Sequence, residues 1–144
     1  MSHGSFMDRL PAEHGIPGFL DALRYDSRGL VTVVAQDART GKVLMVAHAN
    51  REAVEKTLST GLMHYYSRSR GKLWLKGEHS GHHQELVTLR VDCDGDALLA
   101  KVHQKRAACH LGYRSCFSFE VSRDGQVSVI GKRVFEPHDV YRGS

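Results

Sequence analysis

Three cysteines and a cluster of three aspartates are the residues of this 144-residue sequence that most readily suggest chemistry. Asp92, Asp94 and Asp96 lie within five residues, and Cys93 stands between the first two. Carboxylates suit hard cations such as Mg²⁺, whereas thiolates suit softer ones such as Zn²⁺. One short segment therefore offers ligands for two different metals.

The aspartates can share one ion only if the backbone bends. In a straight strand they would point to one face and Cys93 to the other. At about 3.3 Å per residue, the Cα atoms of Asp92 and Asp96 would be roughly 13 Å apart, too far for a common ion. Gly95 is the residue that permits a bend. The alternative is a solvated acidic turn; an EF-hand is excluded because no Glu stands at the twelfth position.

The cysteines follow a C-x15-C-x6-C spacing: Cys93, Cys109 and Cys116. An odd count argues against a disulfide framework, and without an export signal we expect a cytoplasmic protein, where clustered cysteines often bind metal. Three thiolates fill only part of a tetrahedral zinc shell. His110 or another histidine could close it, or an open position could hold an ionisable water. Three unrelated buried thiols are the alternative.

Histidines could supply acid–base chemistry. Three of the ten cluster beside Glu78, namely His79, His82 and His83. His110 is the better single candidate for proton transfer, because its neighbour Cys109 would keep it close to a bound zinc.

Residues 67–77 form a basic connection with four cations, two hydroxyls and two glycines. Arginine forks and backbone N–H groups around glycine suit phosphate oxygens, and the net charge of +4 also suits an anionic partner. Trp74 could stack on a base, although a single tryptophan in a strand more often fills the core. The segment predicts a pocket for a phosphorylated ligand; a solvated charged loop is the alternative.

Strands are expected to position most of these residues. Asp124-Gly125 and the turn residues 37–41 each indicate a hairpin. The predicted strands are 30–36, 43–47, 62–67, 72–76, 84–91, 97–103, 117–121 and 127–130.

One helix is predicted, over residues 51–60, with Asn50 as N-cap and Gly61 as C-cap. Ala53, Val54 and Leu58 would form its buried stripe. Residues 6–29 are expected to be irregular, because their prolines and glycines break helices. The fold class is therefore mainly β with one helix (α+β).

The length and the hydrophobic content of 41% fit a single globular domain. No apolar run approaches the length of a membrane span. Residues 1–5 resemble the remnant of a purification tag, so the predicted domain is 6–144, with residues 131–144 as an extended tail.

Residues from about 30 to 120 resemble the phosphoribosyl-AMP cyclohydrolases, enzymes of histidine biosynthesis that open the adenine ring of phosphoribosyl-AMP at N1–C6. The resemblance rests on strings in one order: Ala35-Gln36-Asp37, residues 64–74, Lys76-Gly77-Glu78, Ser80-Gly81-His82, residues 92–96, Ala108-Cys109-His110 and Ser115-Cys116-Phe117.

The resemblance implies Zn²⁺ on Cys93, Cys109 and Cys116, and Mg²⁺ on the three aspartates. It implies an intertwined homodimer of twisted, bent β-sheets, in which Cys93 of one subunit completes the zinc site of the other. A zinc-bound hydroxide would attack C6, with His110 as the preferred base. The substrate-binding candidates are Arg68, Arg70, Lys72, Trp74, Glu78, His82 and Arg114.

Four positions depart from the family pattern: Tyr66 in place of tryptophan, His79 in place of Thr or Ser, Ala107 in place of Gly or Pro, and Leu111 in place of threonine. Leu111 matters most, because it stands between two predicted ligands. Two other functions therefore stay open, a zinc-dependent hydrolase or deaminase of another purine nucleotide and a non-catalytic module with structural zinc.

Overall fold

The computed structural model describes residues 4–108 and 113–131. Three helices and eight strands lie in these ranges. The helices are α1 (Phe6–Arg9), α2 (Gly15–Ala22) and α3 (Arg51–Thr60). The strands are β1 (Leu30–Asp37), β2 (Val43–Asn50), β3 (His64–Ser67), β4 (Lys72–Leu75), β5 (Gln84–Val91), β6 (Ala97–Gln104), β7 (Phe119–Val121) and β8 (Val127–Val129). A mainly β, α+β fold is confirmed.

A four-stranded sheet in the order β2-β1-β6-β5 forms the centre of the molecule. β1 runs antiparallel to β2 and parallel to β6, and β5 runs antiparallel to β6. β3 pairs with β4, and β7 with β8, in two separate hairpins. Since β1 and β6 are parallel, the loops before both strands lie at one end of the sheet and those after them at the other.

Side-chain alternation along the strands builds the core. Val31, Val33 and Ala35 of β1 are buried, as are Leu98 and Ala100 of β6, while the residues between them are partly exposed. Because of this alternation, the buried side chains lie on one face of the sheet, which packs against α3 and the β3–β4 hairpin.

Helix α3 matches its prediction. The Asn50 side chain accepts a 2.9 Å hydrogen bond from the Ala53 N–H, and Gly61 ends the helix with a φ of +78°. Ala53 and Val54 are buried as expected; Thr57 completes the buried set, whereas Leu58 is only partly buried.

The prediction of an irregular segment at residues 6–29, and with it that of a single helix, was wrong. Helices α1 and α2 occupy part of this segment. Pro17 lies in the first turn of α2, where its missing N–H would have no partner within the helix. Gly18 is required there by packing, because a Cβ at this position would lie 2.6 Å from the Cβ of His14. Ser5, assigned above to the tag, caps α1.

The strand predictions differ from the structure only at their ends. β3 begins at His64 rather than at 62, although Leu62 forms an isolated bridge with Glu85. β7 begins at Phe119 rather than at 117. The predicted tail falls almost entirely outside the described residues. Within those residues, every helix is too short or too polar to cross a bilayer.

Candidate active site

The Asp92–Asp96 segment, here called the acidic loop, connects β5 to β6. The bend predicted at Gly95 is present, with a φ of +77°. Each of the three aspartates offers a carboxylate oxygen, and these oxygens all lie within 4.8 Å of one another. Among the described residues, this is the one group of three or more His, Cys, Asp or Glu side chains close enough to share a metal ion.

Backbone donors hold the loop in this shape. One carboxylate oxygen of Asp92 accepts hydrogen bonds from the N–H groups of Gly95 at 2.9 Å and Asp96 at 3.1 Å. Burial opposes ionisation of Asp92, but the hydrogen bonds from Asp96 and from the loop backbone outweigh it and lower its pKa. The hydrogen bond with Asp92, followed by burial and the nearby carboxylates, raises the pKa of Asp96. Hard oxygen donors with crowded negative charge fit a cation such as Mg²⁺.

The N-terminal segment packs against the outside of the acidic loop. The Phe6 N–H donates to the Cys93 carbonyl at 2.9 Å, and the Arg24 N–H donates to the Gly95 carbonyl at 2.8 Å. The Arg9 guanidinium donates to the carbonyl of Asp94. Sequence reasoning missed this support, because no local pattern links residues 6–24 to a turn some 70 residues later.

A cavity of about 620 Å³ lies beside the β3–β4 hairpin, and no residue of the acidic loop is part of its wall. It combines cations, hydroxyls, an aromatic ring, a carboxylate and a thiol. Residues that define its chemistry are Ser69, Arg70, Trp74, Lys76, Glu78 and Cys116.

The turn between β3 and β4 presents Arg70 to this cavity. The Ser67 hydroxyl accepts from the Arg70 N–H at 3.1 Å, and the Ser67 carbonyl accepts from the Gly71 N–H at 2.8 Å. Arg68 and Lys72 are exposed on the same hairpin but do not line the cavity. Of the three cations predicted on this turn to bind substrate, the structure brings Arg70 into the cavity wall.

The Trp74 side chain belongs both to the hydrophobic core and to the cavity wall. Its ring centroid lies 5.1 Å from that of the buried Tyr65, and it packs against the hydrophobic core. The ring also forms part of the cavity wall. The two interpretations of Trp74 offered by the sequence are therefore compatible.

The predicted histidine cluster is divided by the structure. Glu78 and His79 line the cavity and lie 3.7 Å apart, and Glu78 also accepts a 2.9 Å hydrogen bond from the Leu75 N–H. His82 is only 3% exposed and does not line the cavity. Burial, followed by the charge of Arg106, lowers the pKa of His82, so its ring favours the neutral form.

Arg114 and Cys116 are held near the turn between β1 and β2, Arg114 by Asp37 at the end of β1 and Cys116 by Leu44 near the start of β2. The Arg114 guanidinium donates to the Arg106 carbonyl and, at 3.4 Å, to the buried carboxylate of Asp37. The Cys116 N–H donates to the Leu44 carbonyl at 2.7 Å. Arg114 is thus engaged by protein groups rather than by the cavity, whose wall includes Cys116.

The structure describes two of the three cysteines, both exposed, and places them in different surroundings. Cys93 belongs to the acidic loop before β6, whereas Cys116 lines the cavity together with Ala108, which follows β6. Cys109, His110 and Leu111 lie outside the described residues.

Two buried glutamines were missed by sequence reasoning. Gln84 and Gln104 occupy inward positions of β5 and β6, where apolar residues are usual. A polar residue at a position where the alternation of a strand predicts a buried side chain could have revealed them. Gln104 is such a residue in the run Ala97–Gln104.

These features define an α+β protein with a cationic, aromatic-walled cavity of a size suited to a nucleotide and a separate acidic cluster suited to a metal ion. Comparison with known proteins is consistent with these features. Residues 45–118 match the family model of phosphoribosyl-AMP cyclohydrolase.

Several curated relatives carry the name phosphoribosyl-AMP cyclohydrolase. The protein of Methanococcoides burtonii is 55% identical over 122 residues, covering 85% of this chain and 98% of the relative. That of Pelotomaculum thermopropionicum is 52% identical, covering 88% and 98%. That of Methanospirillum hungatei is 56% identical, covering 85% and 90%. The chain belongs to the phosphoribosyl-AMP cyclohydrolase family, which confirms the family and the enzyme class predicted from the sequence.

Proposed function

We propose that this protein hydrolyses the N1–C6 bond of the adenine ring of phosphoribosyl-AMP, a step of histidine biosynthesis. The observation that carries the proposal is the cavity that combines Arg70, Trp74, Glu78 and Cys116. Its volume accommodates a nucleotide, its cation suits phosphate, and its indole offers a face to a purine. A cytoplasmic location stays a prediction.

The zinc ligands in this proposal are Cys93, Cys109 and Cys116. Cys116 and Ala108, the residue before Cys109, line the same cavity, which supports two thiolates at one place. Thiolate donors fit zinc. The metal would supply an activated water for attack on the purine.

Cys93 of the same chain is a poor third ligand for that site. The acidic loop precedes β6 and Ala108 follows it, and the seven steps from Ala97 to Gln104 span about 23 Å. Sulfurs on one zinc lie only about 4 Å apart. This separation supports the proposed homodimer, in which Cys93 of a second copy completes the site and the sheets of the two copies intertwine.

In such a dimer, the acidic loop of the second copy would lie at the same site as its Cys93. Because the three aspartates flank Cys93, a dimer that brings Cys93 to the cavity of its partner brings the proposed Mg²⁺ site as well. A cation there would balance one substrate phosphate. Arg70 is the best supported of the proposed phosphate ligands on the chain; Arg68 and Lys72 flank it, and Arg114 completes the set.

The remaining roles follow from position. The Trp74 ring would bind the purine face, and Glu78 would accept hydrogen bonds from the substrate at the cavity rim. His82 is proposed to act from behind the rim, since its ring is buried. His110, next to Cys109, would take the proton from the attacking water.

Mixed dimers test the shared site. Cys93→Ala and Cys116→Ala each remove a zinc ligand from every site of a homodimer, so both variants should lack activity and lose zinc. In a mixed dimer, one site keeps all its ligands while the other loses two. Random mixing should therefore restore about one quarter of wild-type ring-opening activity, because half of the dimers are mixed and each holds one intact site.

Three results would contradict the proposal. If mixing restores nothing while each variant still dimerises, the zinc site lies within one chain. If Cys109→Ala keeps full zinc and full activity, the thiolates are not the metal ligands. If the wild-type protein is inactive on phosphoribosyl-AMP but converts another purine nucleotide, the substrate assignment is wrong.

A further inference from the structure

Gln104, the last residue of β6, places one carboxamide between two loops. It is 6% exposed, and its Nε2 lies within hydrogen-bond distance of four backbone carbonyls. These carbonyls belong to His82 at 3.2 Å, His83 at 3.4 Å, Lys105 at 2.9 Å and Ala107 at 3.3 Å. A carboxamide has only two N–H bonds, so the four acceptors share them.

Both loops lead to walls of the cavity. The first, residues 77–83, carries Glu78 and His79 and is closed by a 2.8 Å hydrogen bond from the Gly81 N–H to the Gly77 carbonyl. The second, residues 105–108, ends one residue before Cys109. A bond of 2.9 Å from the Lys105 N–H to the His83 carbonyl ties the two loops together beside the carboxamide.

Backbone groups at the end of the second loop form hydrogen bonds with other parts of the protein. The Ala107 carbonyl accepts hydrogen bonds from Gln104 and from the His82 side chain. The Ala108 N–H donates to the Arg114 carbonyl at 2.9 Å, and the Ala108 carbonyl accepts from the Lys76 ammonium at 2.7 Å. The backbone up to Ala108 therefore has a defined path.

The orientation of the Gln104 carboxamide is set from the core. Its Oε1 accepts a 2.7 Å hydrogen bond from Nε2 of Gln84, and Oε1 of Gln84 accepts a 2.6 Å hydrogen bond from the Tyr65 hydroxyl. Tyr65 and Gln84 are fully buried. Since the phenol donates and fixes the first amide, the second amide must direct its N–H groups toward the loops.

We propose that Gln104 is a positioning residue for the reaction, which holds the Glu78 loop and the segment preceding Cys109 in register around the cavity. The proposal rests on the proposed function for the zinc that Cys109 would bind and for the turnover measurement, whereas the order of the second loop is measured without either. Gln84 supplies the comparison, because it is also buried, but its side chain hydrogen-bonds Tyr65, Met45 and Gln104 rather than the backbone of either loop. If Gln104 had a purely structural role, zinc affinity and loop exchange at matched stability would be the same in the variants of the two glutamines.

The test compares Gln104→Met with Gln84→Met, which replace each carboxamide by an apolar chain of similar length. Thermal unfolding of the metal-free proteins measures stability, and chelator competition measures zinc affinity. Hydrogen exchange at the amides of Lys105 and Ala108 measures the order of the second loop without metal or substrate.

We expect both variants to lose stability, and Gln104→Met to lose more zinc affinity than Gln84→Met, about 10- to 100-fold relative to the wild type, as for other residues that orient metal ligands. Exchange at Lys105 and Ala108 should accelerate more in Gln104→Met than in Gln84→Met at matched stability. Its kcat should fall more than its KM rises, because the cations that bind phosphate are untouched.

Equal zinc affinity and equal exchange in the two variants would overturn the proposal. If the wild-type protein binds no zinc at all, the proposed function fails, but the exchange measurement still decides the role of Gln104. Unchanged exchange at Lys105 and Ala108 in Gln104→Met would then be sufficient to reject it.

Discussion

The hydroxyl of Tyr65 donates a 2.6 Å hydrogen bond to the Gln84 carboxamide in the interior of the protein. Burial, followed by the charge of Cys116, raises the pKa of Tyr65, so the phenol remains a donor throughout the accessible pH range. This pair connects the hydrophobic core to the loops around the cavity.

Tyr65→Phe should therefore destabilise the fold by about 1–3 kcal/mol, because Gln84 keeps a buried oxygen without its donor. Urea unfolding measures the change. Tyr66→Phe removes the same hydroxyl from the more exposed side of β3 and should cost less. Equal losses would mean that the buried hydrogen bond contributes little.

Gly95→Ala should distort the acidic loop. The left-handed φ of +77° alone costs a residue with a Cβ about 1–2 kcal/mol. The added Cβ would also lie 2.7 Å from the Arg9 guanidinium and 3.0 Å from the Phe6 ring. Gly125→Ala is the matched control, because its φ is +89° and a Cβ there would meet nothing within 4 Å.

We expect Gly95→Ala to lower the melting temperature more than Gly125→Ala does, and to weaken Mn²⁺ binding as measured by electron paramagnetic resonance. The second effect should occur because the displaced Arg9 no longer holds the Asp94 carbonyl. Unchanged Mn²⁺ affinity in a destabilised Gly95→Ala protein would contradict a cation site at this loop.

Asp37 should make stability depend on acid pH. Burial opposes its ionisation, but hydrogen bonds from the Arg39 N–H, the Thr40 hydroxyl and Arg114 outweigh that cost and lower its pKa from the ordinary value of an aspartate. A group whose pKa falls on folding stabilises the protein above its unfolded pKa and loses that contribution as the pH falls through its folded pKa.

Asp37→Asn should therefore cost about 1–3 kcal/mol at neutral pH, and the difference from the wild type should shrink below about pH 4. Urea unfolding over this range checks both expectations. Glu120→Gln, which removes a charge from the exposed β7–β8 hairpin, serves as control. A constant difference between Asp37→Asn and the wild type at all pH values would show that the carboxylate charge is not responsible.

Arg70→Ala should weaken substrate binding. A charge-assisted hydrogen bond to phosphate contributes about 1.5–3 kcal/mol, so KM should rise about 10- to 100-fold while the melting temperature stays near that of the wild type. Arg90→Ala removes the same charge from the exposed side of β5, outside the cavity wall. Similar KM values in both variants would indicate a general charge effect instead of a specific contact.

Local chemistry, which the sequence alone displays, determines much of this fold. The β-branched runs 30–36 and 84–91, the cap residues Asn50 and Gly61, and the need for a bend at Gly95 depend on nearest-neighbour sterics and hydrogen bonding, which sequence alone displays. The short helices of residues 6–29 escaped prediction because packing, not propensity, stabilises them.

Tertiary structure decided which of the functional residues meet. Sequence spacing made Cys93 and Cys116 one set, but β6 separates the acidic loop from the cavity by the length of a strand. The family resemblance gave Arg70 and Arg114 the same substrate-binding role, whereas Arg70 lines the cavity and Arg114 donates to Asp37. The reason is physical: residue type and spacing determine which ligands and cations a chain possesses, while strand direction and register determine where each of them lies.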